Sequence, residues 1–306
     1  MGDQSKIGWT EATWNPVTGC SRVSEGCQHC YAEVWSHRYG WTEKPWTVTH
    51  ASENVRLHPE RLDQPVRWQK PRRIFVNSMS DLFHPQVPFE FLDRVFGVMA
   101  STSHTYQILT KRPDRMHEYL TDYAAGGRHI WKAAQTVKLP RGRFKPETGW
   151  PLPNVWLGVS VENQARADER IPWLLKSPAT VRFISCEPLL GPMDLTEIHG
   201  ETVLEPKCWG DCACDSVYGY DPGCVRHGGG GYLTRKIDWV IVGAESGPGA
   251  RPMDDDWVRQ IRDQCVTANV AFFFKQRVCH GRKEVEPLLD GRQWLEYPQI
   301  EQADPV

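Results

Sequence analysis

The sequence predicts an α/β protein: a partial or nearly closed parallel (β/α) TIM-like barrel of about six or seven strands, one domain over 1–306. Three observations predict it. Short apolar runs that end in polar tips alternate with helical-period segments along most of the chain. Strand, helix and strand in succession require parallel pairing through right-handed crossovers. The length of 306 residues is ordinary for a single barrel.

The elements follow in order. Residues 7–17 alternate loosely and contain Thr and Trp, which suits a first strand, and 31–39 form the first helix. Residues 41–65 are polar and irregular. The run 72–77 is apolar with a polar end, a buried parallel strand. In 89–101, Phe91, Leu92, Val95, Phe96 and Met99 recur at helical spacing. Strand 105–110 precedes helix 112–123, which Pro113 and Asp114 open. Gly, Pro, Lys and Arg accumulate over 126–153, an expected excursion loop. Strand 155–160, helix 164–175 and strand 181–185 come next, then strand 238–243, helix 255–268 and strand 271–275. The tail from 284 is expected to dock as a strap.

Composition narrows the function. A net charge of −2 gives no global positive field for nucleic acid. There is no run of eighteen apolar residues, and residues 1–6 lack the core of a secretion signal, so a cytoplasmic protein without a membrane partner is expected. In that compartment ten cysteines point to metal or redox chemistry. Fourteen tryptophans serve either packing or a surface for stacking bases.

Cys20, Cys27 and Cys30 stand at a six-residue and then a two-residue spacing. Thiolates suit soft metal centres. A closed structural zinc takes four protein ligands, and no fourth is obvious here. Three cysteines fit an iron–sulfur cube with one iron left to a small chelating molecule.

This stretch resembles the cluster loop of the radical S-adenosylmethionine superfamily, where the usual spacing is three and then two. Segments 8–20, 77–83, 109–112, 185–189 and 274–276 resemble a bacteriophage and prophage family of three-cysteine-motif proteins named after gene products of unknown role. The resemblance covers nearly the whole chain, and spore photoproduct lyase is a more distant likeness. It implies a [4Fe–4S] cluster on Cys20, Cys27 and Cys30, S-adenosylmethionine as cofactor, and a 5′-deoxyadenosyl radical that takes hydrogen from substrate. The implied partner is a reductant of flavodoxin or ferredoxin type; whether a second protein takes part is left open by the sequence.

In a β/α barrel the reacting groups sit after the strands. By the resemblance, His29 packs near the adenine, the segment with Asn77, Ser78, Ser80 and Asp81 takes the cofactor's amino group, and Glu162 and Asn163 meet its ribose. The glycines usual in the amino-group segment are absent here. Lys111, Arg112, Glu187, Glu245 and Lys275 are candidates for substrate or its phosphates. Cys186 is either a hydrogen-atom donor at the mouth or a small packed side chain.

A second cluster, Cys208, Cys212, Cys214, Cys224 and His227, lies in an insertion at about 200–235. Structural zinc on four of the five groups is the favoured reading; a second iron–sulfur cluster or free thiols are the alternatives. The glycines 228–231 form a hinge rather than a phosphate loop. Phage occurrence, the likeness to the lyase and the basic residues Lys138, Arg141, Arg143 and Lys145 direct the substrate expectation to a nucleic acid or nucleotide, for repair or modification. The competing class is a non-catalytic, metal-stabilised nucleic-acid-binding protein.

Overall fold

A computed structural model describes residues 4–123, 127–138, 150–204, 237–247, 249–279 and 282–299. Strands β1 (Ala12–Trp14), β2 (Arg73–Val76), β3 (Thr105–Thr110), β4 (Val155–Ser160), β5 (Val181–Cys186), β6 (Trp239–Gly243) and β7 (Ala271–Cys279) lie side by side in chain order, all parallel. β8 (Arg282–Val285) adds an antiparallel edge. Pairing in chain order is what repeated βα units produce when the sheet winds one way, and this sheet curls into a half-barrel. The partial barrel expected from sequence is therefore present: among the described residues it has seven parallel strands, within the expected number, and an antiparallel eighth at the edge.

Apolar periodicity builds the helical layer. Helix α1 (Tyr31–Arg38) follows the cysteine loop; α2 (Phe89–Ala100), α3 (Pro113–Glu118), α4 (Arg128–Ala134), α5 (Gln164–Lys176) and α6 (Asp255–Thr267) follow in turn. Asn163 caps α5 by accepting from Arg166 N, and Asp254 caps α6 by accepting from Asp256 N. One sheet face packs Ile74, Val76, Ile108, Ile184 and Val242 under helical Leu92, Val95, Ile171 and Ile261. The other carries Phe75, Trp156, Phe183, Trp239 and Phe273 with Trp9, an aromatic plug with ring centroids 4.7 Å apart at Trp9–Phe75 and 6.0 Å at Trp156–Trp239. Gly158 makes room for it, since a β-carbon there would stand 2.5 Å from the Phe183 ring. Most large aromatics thus fill space. The tail docks along the edge of β7: Phe274 N donates to Trp294 O at 2.8 Å, and Trp239 Nε1 of the plug donates to Glu296 O at 2.8 Å.

Three expectations change. The first strand is shorter, because Pro16 has no N–H to give the ladder; Val17–Thr18 leaves the sheet and pairs with Arg56–Leu57 instead. Within the expected 126–153 loop, α4 packs so closely on α2 that a β-carbon on Gly97 would stand 2.9 Å from Ala134 N. The helix expected over 112–123 is α3 followed by a π turn, Tyr119–Tyr123. No helix among the described residues is long and apolar enough to cross a membrane.

Candidate functional site

The cysteine loop springs from the rim where β1 ends. Gly19 turns it at φ +80°, and the turn runs so near the neighbouring backbone that a β-carbon would stand 1.9 Å from Asn54 O. A short 3-10 turn, Glu25–Cys27, and the capping position of Cys30 at the start of α1 set the other two thiols. All three are free and half-buried. Burial pushes the Cys20 thiol up to about 12 against the opposing charge of Arg112, and burial likewise pushes Cys30 up. The charge of Cys27 acts on both.

A buried network holds the front of the loop. Arg112 Nη1 donates to Asp81 Oδ2 at 2.9 Å and lies 3.5 Å from Cys20 Sγ; its Nη2 donates to Ser21 O at 2.8 Å and Ser21 Oγ at 3.2 Å. Asp81 also accepts from Thr110 Oγ1, Lys111 N and Phe83 N at 2.7, 3.1 and 3.0 Å. Burial alone would raise its carboxyl, but the guanidinium and these donors hold it below its ordinary value. His84 accepts Gln86 N at Nδ1, so its Nε2 is the donor to Ser21 Oγ at 2.9 Å. Burial, and then Arg112, depress His84 to about 4.

The rear of the loop is held by ends of other strands. Gly26 N donates to Glu162 Oε1 at 3.2 Å, a carboxylate fully buried against Arg170 Nη1 at 2.9 Å. Glu25 pairs with Asn163 Nδ2 and with Arg166 Nη2 at 3.1 Å. His29 Nδ1 meets Glu245 Oε2 at 2.9 Å, and Arg251 clasps the same carboxylate while donating to Glu25 O at 3.0 Å. Burial works to raise Glu245, yet Arg251 and His29 bring it down to about 2.

The polar tips therefore divide. Asn77, in a left-handed turn at φ +60°, accepts from Val17 N, Ser80 Oγ donates to Val17 O, and Ser78 Oγ bonds Asn15. With Asp81 they tie strand ends together. Arg112, Glu162, Asn163 and Glu245 are likewise engaged in positioning the loop. Lys111 Nζ meets Ser160 Oγ at 2.5 Å, whereas Lys275 Nζ is neutralised by Glu187 at 2.6 and 2.8 Å. Cys186 corrects an expectation: alternation along β5 sends Phe183 and Ser185 to the inner face, and Ile184 and Cys186 into the core under the helices, where Cys186 is fully buried. It faces no mouth. Glu25, Arg166, Arg170 and Arg251 also hold the loop and were not among the residues the sequence singled out; the only signal was a carboxylate between the cysteines.

Among the described residues no three His, Cys, Asp or Glu side chains come close enough to hold one metal ion. Cys208, Cys212, Cys214, Cys224 and His227, with 139–149, lie outside the described residues. No curated protein and no solved structure matches the chain. A family model described as a protein of unknown function (DUF5131) matches residues 4–298, nearly the whole chain, and the protein belongs to that family.

Proposed function

We propose that the protein is a radical S-adenosylmethionine enzyme acting on a nucleic acid or nucleotide. The observation that carries the proposal is the cysteine loop itself: three free, half-buried thiols anchored to the ends of several strands at the rim of a half-barrel. Three free thiols on one loop suit a cube, which takes one cysteine on each of three irons and leaves the fourth open. Cys20, Cys27 and Cys30 would hold such a cluster, which would supply the electron, drawn from a flavodoxin- or ferredoxin-type donor, for reductive cleavage of S-adenosylmethionine.

The chain's own groups bind, orient and exclude water. The aromatic plug fills the inner face of the sheet below the rim. Lys111, whose partner Ser160 is neutral, keeps its positive charge for an anionic group, while Lys275 is compensated by Glu187. His29 is oriented by Glu245 through Nδ1. On and after α1, which begins at Cys30, the rings of Trp35, Tyr39 and Trp41 are exposed, with Tyr39 and Trp41 stacked at 5.4 Å. Exposed, stacked aromatic faces support unstacked bases as the substrate class. Zinc on four of Cys208, Cys212, Cys214, Cys224 and His227 is a proposal from spacing alone.

Anaerobic reconstitution tests the reading. Wild type is expected to take up about four irons per chain with a brown chromophore, and Cys27→Ala to lose both. Tightly held zinc at Cys20, Cys27 and Cys30, unaffected by iron and sulfide, would instead favour the non-catalytic nucleic-acid-binding protein.

A further inference from the structure

The sequence offers Arg112 as a substrate contact, but its side chain is less than a tenth exposed and both terminal nitrogens of its guanidinium are engaged within the loop network. Nη1 is shared between Asp81 Oδ2 and Cys20 Sγ, and Nη2 between the carbonyl and hydroxyl of Ser21. Asp81 is itself fixed by three further donors, so the guanidinium cannot swing into the mouth without stranding a buried carboxylate. Pro113 follows directly and fixes the start of α3 beside it.

We propose that Arg112 is a positioning residue for the cluster, orienting the Cys20 sulfur through an N–H···S contact and setting the reduction potential. The inference rests on the radical-enzyme reading. One-electron reduction adds one negative charge to the cluster, and a desolvated guanidinium beside a ligating sulfur favours the more negative state. Hydrogen bonds to sulfur and local charge are established determinants of cluster potential. A planar fork matters as well as charge: a lysine can supply the cation but cannot hold Cys20, Asp81 and Ser21 together.

The test compares reconstituted wild type, Arg112→Gln and Arg112→Lys by iron content, EPR of the reduced state and redox titration. All three cysteines remain, so iron content is expected to match wild type in both variants. Arg112→Gln is expected to lower the reduced-to-oxidised ratio at a fixed potential about tenfold, or about 59 mV for one electron. Arg112→Lys is expected to shift in the same direction by less. Should Arg112→Gln fail to fold, Arg112→Lys decides on the same criterion. Variants that hold iron at the wild-type potential overturn the role, and a raised KM at unchanged potential would return Arg112 to substrate binding. Wild type that takes up no iron removes the enzyme reading itself, an outcome distinct from an intact cluster with unshifted variants.

Discussion

The two ends of the cysteine loop are held by different kinds of interaction. At the front, Arg112 and Asp81 pair with side chains 9 and 7% exposed, inside a network that includes Ser21, Thr110 and His84. At the rear, Glu25 and Arg166 pair at 36 and 31% exposure, and Arg251 reaches Glu245 from a partly exposed position. Water screens the second set and not the first. The difference teaches that Cys20 is fixed by groups that cannot be removed singly without a large penalty. Cys27, by contrast, rides on a turn held by one buried carboxylate, Glu162, together with pairs such as Glu25–Arg166 that water screens.

The comparison breaks most visibly at Asp81. Asp81→Ala leaves Arg112 buried without its counter-charge, and is expected to destabilise the protein by about 3 to 5 kcal/mol in urea unfolding. An effect below about 1 kcal/mol would mean that the front is no stiffer than the rear.

Glu245 stands between the two extremes. Its folded carboxyl is held at about 2, below the ordinary 4.5, so the fold favours the charged form. That stabilisation is complete above pH 4.5 and is lost as pH falls toward and through 2. Glu245→Gln is expected to cost about 1 to 3 kcal/mol at neutral pH and to show a shallower loss of stability over that acidic window. Parallel pH profiles for wild type and variant would contradict the clasp.

Arg166→Ala should have the smallest effect. A half-exposed pair contributes about 0 to 1 kcal/mol, and the loss should shrink further in high salt. A salt-insensitive loss of several kcal/mol would show the rear clamp to be as rigid as the front.

The same contrast explains what the sequence could and could not reveal. The strands at 72–77, 105–110, 155–160 and 181–185 were legible because apolar runs between turns mark buried parallel strands, and the structure places β2 to β5 there to within one residue. The break after β1 was legible in principle from Pro16. Helix α4 was not, because its seven residues sit in a segment whose composition reads as loop.

At the site, the polar strand tips were visible in the sequence, but what they bind was not. A polar tip that faces a ligand and one that faces a loop look alike in sequence; Asp81, Arg112, Glu162 and Glu245 all bind the loop. Cys186 was misdirected for a related reason. Every residue of β5 is buried, so its sequence alternates without saying which face is inner, and only packing of Phe183 against Trp9 and Trp239 settles it. Arg251 lies six residues beyond Glu245, across a glycine-rich turn that carries no local sign of the clasp.

The most direct measurement of the central claim is product analysis of the reconstituted, reduced protein supplied with S-adenosylmethionine and single-stranded oligonucleotide. The account predicts 5′-deoxyadenosine from wild type and none from a variant lacking Cys20, Cys27 and Cys30. Absence of 5′-deoxyadenosine from wild type with a full, reducible cluster, or equal amounts from the variant, would contradict it.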